Sequence, residues 1–390
     1  MREKAIMRTY SLSETDMRVH IYTLRYNPLS GGGSHHALAT YIQAILKAGH
    51  TPILTTFFSD DNNYKEKPCE MREEHFRGGF IALQHRTATV MRENKDADVH
   101  IIAGPTLMWG GGIYRKHGDT PVVVNLNNYT PGMGLQRNTS LLHRYKWYVW
   151  EKLIGIQYAK IIDLAILESP IVQKEYERFG YRFKKSIIIS SPVDRASGDN
   201  LLSPYQNDSA LFHVLFVARL VADKGPDIFV KATIGLPKDI HMHVIGSGGE
   251  ETALRKLIEE NKLEKQAHLH GWKSREELSA FFQHAHLFVH PCRWPEPFGL
   301  VVVEALRAGL PVIATEETGA AWAAGEAGIT FKKNDVAELQ KHILFFYNNP
   351  DARSDYSKKS LLRACDFDPD LIGQKFISHL ESLASKKPVV

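Results

Sequence analysis

The run Pro291-Cys292-Arg293-Trp294-Pro295-Glu296-Pro297-Phe298-Gly299-Leu300, continued by Val301-Val302-Val303-Glu304-Ala305, holds the densest set of chemically capable groups in this chain. Glu296 sits in a proline-rich loop. Glu304 lies eight positions later, about one and a half turns into a helix that starts near Gly299. The start of a helix offers backbone N–H groups without intrahelical partners and the positive end of the helix dipole, which together can seat a phosphate. Gly299 allows a ligand to approach the backbone closely. Two carboxylates can therefore bracket a ligand that also touches the helix start. Taken alone, the same two glutamates also read as a capping loop followed by a solvated helix carboxylate.

A second set is Phe216-Val217-Ala218-Arg219-Leu220-Val221-Ala222-Asp223-Lys224-Gly225. Arg219 directly follows an apolar strand, and Lys224 precedes a helix beginning at Gly225 or Pro226. Two cations at a strand's carboxyl end can neutralise a diphosphate, arginine as a bidentate fork and lysine as a mobile point charge. Surface charges, or a local Asp223–Lys224 pair, are the alternative. A third set, Gly31-Gly32-Gly33, follows the first strand and can line an anion with backbone N–H groups or simply turn the chain. It is not a dinucleotide fingerprint, because Gly31-Gly32-Gly33-Ser34-His35-His36 has no glycine at its sixth position. Gly246-Ser247-Gly248-Gly249 reads as a tight strand-to-helix connection. His268 and His270 alternate on one strand and read as half-buried packing residues.

These groups need elements to hold them. Short apolar runs predict strands at Val19–Leu24, Pro52–Phe57, Val99–Ala103, Val122–Leu126, Leu164–Leu167 and Ile187–Ser190, with helical stretches between most of them. One of those stretches, Leu141–Lys160, is aromatic and basic: it could lie on an anionic membrane, or be an interdomain or core-facing helix. From Arg195 to Asp208 the chain turns polar and aperiodic, which marks a linker. The alternation then restarts, with strands at Val214–Ala218, Met242–Ile245, His268–His270, Leu287–His290, Val312–Ala314 and Ile329–Phe331. A helical tail runs from about Asp335 to Lys386. The fold class expected is α/β, two successive parallel-sheet domains with a ligand cleft between them. Ligands of such sheets bind at the carboxyl ends of strands, where the first two sets lie.

Composition agrees. A chain of 390 residues, 43% hydrophobic and 24% charged, supports two cores and is neither disordered nor disulfide-stapled. Its 48 basic against 44 acidic residues leave a formal charge of +4, far from the bias of a dedicated nucleic-acid binder. Cys69, Cys292 and Cys365 have no metal or redox spacing and suit a reducing compartment. With no signal-like leader and no apolar run near the ~20 residues of a spanning helix, the expected location is cytoplasmic, with peripheral contact on the inner membrane face left open.

Together the motifs resemble the retaining glycosyltransferases of the glycosyl-transferase group 1 family (family 4 type), which have the GT-B fold and use nucleotide-diphosphate sugars. Glu296-Pro297-Phe298-Gly299-Leu300 through Glu304-Ala305 is similar to the family's paired-glutamate motif, as is the flanking Ala308–Ala314 segment. Phe216–Gly225 is similar to its phosphate-binding segment, and Gly32-Gly33 through Gly49-His50 to its first loop and helix. The likeness is strongest over 213–331 and looser over 18–194.

The resemblance implies an N-terminal acceptor-binding domain over 1–194, with a C-terminal helix at about 370–390 packing back on it. It also implies a nucleotide-sugar-binding domain over 209–369. Arg219, Lys224 and Glu296 would be catalytic. Glu304 would hold the ribose hydroxyls, and the backbone of Phe298, Gly299 and Leu300 would hold phosphate and sugar oxygens. Gly32, Gly33 and Asn127 would complete the donor site. The implied donor is a UDP or GDP sugar, and the implied acceptor a sugar, a lipid-linked molecule or another small molecule. No metal and no other cofactor is implied, since arginine and lysine can replace a divalent cation. Nucleic acid is not an expected partner.

Three departures stand out. Asn127 occupies the place of a histidine common in relatives. Thr318-Gly319-Ala320-Ala321-Trp322 replaces a Gly-Gly-x-Pro-Glu pattern. His35 and His36 follow the glycines where an acidic residue is common. A nucleotide-sugar epimerase of the same architecture, or a non-catalytic nucleotide-sugar-binding subunit, are the alternative functions.

Overall fold

The computed structural model of the chain describes residues 16–27, 33–58, 67–133, 140–193 and 211–385. The predicted linker Arg195–Asp208 lies outside them, as do Gly31 and Gly32. Two compact units emerge. One runs to Pro192 and resumes at Pro369, and the other spans Val193–Asp368.

The first unit is built on seven strands: β1 (Arg18–Thr23), β2 (Thr51–Thr56), β3 (Glu70–Glu73), β4 (Val99–Ala103), β5 (Val122–Leu126), β6 (Leu164–Leu167) and β7 (Ser186–Ile188). They pair in the order β3-β2-β1-β4-β5-β6-β7, parallel at every step. Ile21 of β1 stands opposite Leu54 on one side and Ile101 on the other. The central strands are buried on both faces, so they read as continuous apolar runs. The polar edge strand β3, Glu70-Met71-Arg72-Glu73, shows no such run and was not predicted. It exists through its pairing with β2, and its charges suit an edge.

Two helices of this unit come from opposite ends of the chain. Gly33–Lys47 packs against Pro369–Ala384, with the Tyr41 and Phe376 rings 4.4 Å apart and Lys47 Nζ 3.0 Å from Asp370 Oδ1. The predicted helix Leu141–Lys160 forms as Leu141–Trp150, a π-helical turn at Glu151–Gly155, and Ile156–Ala159. Ser140 caps it, accepting the His143 N–H at 3.3 Å.

The second unit carries β8 (Phe212–Val217), β9 (Ile240–Ile245), β10 (Ala267–Leu269), β11 (Leu287–His290), β12 (Val312–Thr315) and β13 (Gly328–Phe331). These are ordered β10-β9-β8-β11-β12-β13, again all parallel. Its core gathers Phe216, Phe229, Val289, Ile313 and Phe346. The predicted helical tail is three helices, Val336–Asn348, Pro350–Ala364 and Pro369–Ala384. Pro350 and Pro369 each open a helix, because proline lacks the N–H that a continuous helix would need there.

In both sheets the strand order reverses next to the first strand. β1 sits between β2 and β4, and β8 between β9 and β11. Open α/β sheets bind ligands at this switch point, beyond the carboxyl ends of the flanking strands. Among the described residues, no helix is long and apolar enough to cross a membrane.

Candidate functional site

The switch point of the second sheet lies between β8 and β11, and the two strongest sequence motifs are the loops leaving those strands. They are stitched together. The Arg293 N–H donates to Asp223 O at 2.7 Å, and Cys292 Sγ lies 3.1 Å from the same oxygen. The Arg293 guanidinium forks onto Asp227, at 2.6 and 2.8 Å, and reaches Ala222 O at 2.8 Å and Asn334 Oδ1 at 2.7 Å. Gly225 makes this approach possible. Its φ is 68°, and a Cβ there would run into the carbonyl oxygen of Pro291.

This clamp brings Lys224 and Glu296 into contact across the two loops. Lys224 Nζ donates to Glu296 Oε1, while His290 Nε2, at the end of β11, bonds the other carboxylate oxygen. Both members of the ion pair have side chains only 17% exposed, so little water competes for them. Burial works against the Glu296 carboxylate, but His290 and Lys224 outweigh it and hold the carboxyl well below the usual range. Burial likewise opposes the Lys224 charge, and the Glu296 carboxylate lifts the ammonium above the ordinary lysine range. Burial, and then Glu296, push the neighbouring Cys292 thiol up to about 12, so it is protonated at neutral pH. His290, Cys292 and Glu296 bring nitrogen, sulfur and oxygen donors within 4.8 Å of one another. Lys224 Nζ bonds the same Glu296 carboxylate.

Arg219 lies two positions beyond the end of β8 and is exposed on the loop leading to Lys224. Gly299 caps the helix Leu300–Arg307 with φ 94°, a left-handed conformation suited to glycine, and Glu304 lies half-buried on that helix. The Phe298 side chain is in the core, its ring packed against Phe367 at 5.3 Å and Trp322 at 5.9 Å. The departure at Trp322 is thus a packing substitution behind the loop, completed by Arg363 at 5.4 Å over the indole. Thr318 caps the short helix bearing Trp322, and Gly319 N–H donates to Glu296 O at 2.7 Å, so this segment also braces the loop.

The remaining predicted residues belong to the first unit. Gly33 begins its helix Gly33–Lys47, and Gly32 lies outside the described residues. Asn127 follows β5 and lines a pocket of about 490 Å³ with Arg25, His35, Gly104, Thr106 and Tyr129. His35 Nδ1 accepts the Asn27 N–H at 2.9 Å, which leaves the ring proton on Nε2. His36 is exposed.

Sequence reasoning missed His290, Arg293 and Asp227. A histidine closing an otherwise apolar strand six positions before Glu296 was the available signal for the first. The Arg293–Asp227 staple joins residues 66 apart and has no local signature.

Residues 204–362 match the family model for glycosyl transferases group 1. The chain is 31% identical over 378 residues to an α-monoglucosyldiacylglycerol synthase of Acholeplasma laidlawii, an alignment covering 88% of this chain and 92% of the relative. It is also 31% identical over 166 residues to a D-inositol 3-phosphate glycosyltransferase of Pseudarthrobacter chlorophenolicus, where the match spans 40% of this chain and 39% of the relative. Among solved structures, Anabaena HepE in complex with UDP superposes with a TM-score of 0.75 at 19% identity, covering 94% of this chain and all of that one. Sucrose-phosphate synthase from Thermosynechococcus elongatus gives a TM-score of 0.76 at 18% identity over 95% of this chain and 99% of the other. These likenesses agree with the two parallel sheets: the chain has the GT-B fold and belongs to the group 1 glycosyl transferases.

Proposed function

We propose that this chain moves a sugar from a UDP or GDP sugar to an acceptor hydroxyl, with retention at the anomeric carbon and without a metal or other cofactor. The observation that carries this reading is the Lys224–Glu296–His290 cluster at the switch point of the second sheet, directly ahead of the helix bearing Glu304. In this scheme the second unit holds the donor and the first holds the acceptor. Arg219 and Lys224 neutralise the diphosphate, and the amides of Phe298, Gly299 and Leu300 at the helix start take its oxygens. Glu304 accepts hydrogen bonds from the ribose hydroxyls, and Glu296 orients the donor sugar. Gly32, Gly33 and Asn127 of the first unit are assigned contacts to the donor. As the bond from the anomeric carbon to the diphosphate breaks, its electron pair leaves with the phosphate. The acceptor oxygen bonds the same face of that carbon, and its proton passes to the departing phosphate oxygen. Neither glutamate has to act as a covalent nucleophile. The two cations stabilise the charge that develops on the leaving group, an electrostatic contribution that preorganisation makes large. Asn127 can bond a sugar hydroxyl but, as an amide, does not shuttle protons at neutral pH.

A lipid-linked acceptor at the inner membrane face is the acceptor class favoured here. Leu141 and Leu142 are 80% and 79% exposed, Tyr145 and Lys146 are exposed on the same helix, and Leu153 is exposed in the π-helical turn that follows. Such an apolar and basic surface suits an anionic bilayer. The Acholeplasma relative is named for a glycolipid product.

A thermal-shift panel of UDP, GDP and their sugars tests the donor assignment. One nucleotide is expected to raise Tm by mass action, with the gain lost in Lys224→Ala. Turnover with the selected donor then tests the chemistry. Wild-type rates in both Lys224→Ala and Glu304→Ala would overturn the reading. An epimer formed from donor alone would point to the epimerase, and nucleotide binding without transfer to any acceptor to the binding subunit.

A further inference from the structure

The donor loops hold a group of side chains whose chemistry the proposed transfer does not use in full. His290 closes β11, Cys292 lies two positions on, and Glu296 four positions beyond that. Their donor atoms, an imidazole nitrogen, a thiol sulfur and a carboxylate oxygen, lie within 4.8 Å of one another. His290 and Cys292 are buried, whereas the Glu296 side chain is 17% exposed and gives the group an edge toward solvent. The histidines across β8, β9 and β10 differ from this. They bond one another along the sheet, with His213 Nδ1 2.9 Å from His243 Nε2 and His241 Nδ1 3.0 Å from His268 Nε2.

The hydrogen bonds fix where the protons are. His290 Nε2 bonds Glu296 Oε2, and an ionised carboxylate only accepts, so the ring proton is on Nε2. Nδ1 is buried without a hydrogen-bond partner among the described residues, which leaves the lone pair there. Cys292 Sγ lies 3.1 Å from Asp223 O, a carbonyl that only accepts, so the sulfur carries its hydrogen. Lys224 Nζ takes the other carboxylate oxygen, Oε1. Two protons, on Nε2 and Sγ, therefore stand where three ligands could share one ion. First-row ions bind imidazole and carboxylate at about 2.0–2.2 Å and thiolate at about 2.3 Å, which sets the ligand atoms about 3–4 Å apart. Small side-chain movements reach that spacing. One sulfur, one imidazole and one carboxylate favour Zn²⁺ or Co²⁺ over Mg²⁺ and Ca²⁺, which take oxygen ligands.

The geometry points to a binding site for a thiophilic divalent ion of the Zn²⁺ class at His290 Nε2, Cys292 Sγ and Glu296 Oε2, whose occupation opposes sugar transfer. Loading releases the thiol proton to solvent and shifts the ring proton from Nε2 to Nδ1. The sulfur then binds as thiolate and the imidazole stays neutral. Lys224 keeps Oε1, and Asp223 O keeps the Arg293 N–H. With Oε2 held by the ion, Glu296 no longer orients a donor sugar. That consequence rests on the function proposed above, but the site itself does not.

Titration of the full chain with Co²⁺, in a non-chelating buffer with a phosphine reductant, tests the site, because a thiolate ligand gives a near-ultraviolet charge-transfer band. The expected result is one Co²⁺ per chain with that band, displaced by Zn²⁺. Calorimetry in buffers of different ionisation enthalpy should show about one proton released per ion. Cys292→Ser, whose hydroxyl can still donate to Asp223 O, should lose the band and bind Zn²⁺ at least tenfold more weakly. His290→Gln should weaken Zn²⁺ as much, and Cys69→Ser combined with Cys365→Ser should match the wild type. Zn²⁺ should slow transfer by the wild type at least tenfold at concentrations that leave Cys292→Ser within about twofold of its own metal-free rate, with Mg²⁺ inert. A missing thiolate band, Zn²⁺ binding weaker than millimolar, or a band that persists in Cys292→Ser would overturn the site. Equal inhibition of both proteins would overturn its effect on transfer. The band is read on the wild-type chain, so the site is tested independently of any variant's folding and of the transfer reaction.

Discussion

Lys224 and Glu296 form an ion pair 72 residues apart in sequence, joining the loops that leave β8 and β11. Each loop on its own carries a charge of ordinary meaning. Together they form a poorly solvated pair with His290 on its far side, in front of a helix N-terminus. Lysine has three donors, so Lys224 can hold Glu296 and still offer hydrogen bonds to a phosphate.

Glu296→Gln should keep the loop in place yet lower turnover by about 10²–10³-fold, the range typical for loss of one preorganised electrostatic contact. Lys224→Ala should cost as much in turnover and also destabilise the second unit by about 3–5 kcal/mol, since it strands a buried carboxylate. Steady-state kinetics with the selected donor and thermal melts separate the two effects. Unchanged kinetics in Glu296→Gln would remove that residue from the chemistry.

Arg293 touches no proposed substrate atom but staples the two donor loops through Asp227. Arg293→Ala should raise the donor KM about tenfold, a loss of about 1.4 kcal/mol in binding, with kcat changed less. Arg293→Lys should restore little, because a lysine cannot reproduce the bidentate fork. Nucleotide calorimetry on both variants checks this.

Glu151 in the π-helical turn of the first unit is 2% exposed. Burial pushes its carboxyl up to about 8, only partly offset by Trp109, and it accepts the Tyr181 hydroxyl. A raised carboxyl pKa favours the fold fully below the unfolded value near 4.5, and that contribution is lost as pH rises toward 8. Melting temperature should therefore fall between about pH 4.5 and 8, by an amount worth a few kcal/mol (~1.4 kcal/mol per pH unit across the window), and level off above pH 8. Glu151→Gln should flatten that slope and raise Tm at pH 8. An unchanged slope in the variant would place the pH dependence elsewhere.

Leu141→Ser combined with Leu142→Ser removes two exposed apolar side chains while leaving the core untouched. Sedimentation with vesicles containing an anionic lipid should show wild-type binding that weakens several-fold in the double variant and at high salt. Equal binding by both proteins would take this helix out of the membrane contact.

The sequence alone determined the alternation of strands and helices, because strands buried on both faces must be apolar throughout and stand out between amphipathic helices. The positions of β4, β5, β6 and β11 are legible to the residue. The sequence also puts Arg219 and Lys224 in the loop leaving β8, Glu296 in the loop leaving β11 and Glu304 on the helix after it, as the structure has them; their roles belong to the proposal. Polarity hid β3, whose only support is its neighbour. The breaks at Pro350 and Pro369 were readable as prolines but not as helix starts. What the tertiary structure decided is partnership. His290 beside Glu296, Arg293 on Asp227 and the histidines across β8, β9 and β10 are pairings between loops or strands distant along the chain. Parallel strand order and register create them, and no spacing along the sequence encodes which side chains a crossover will bring together.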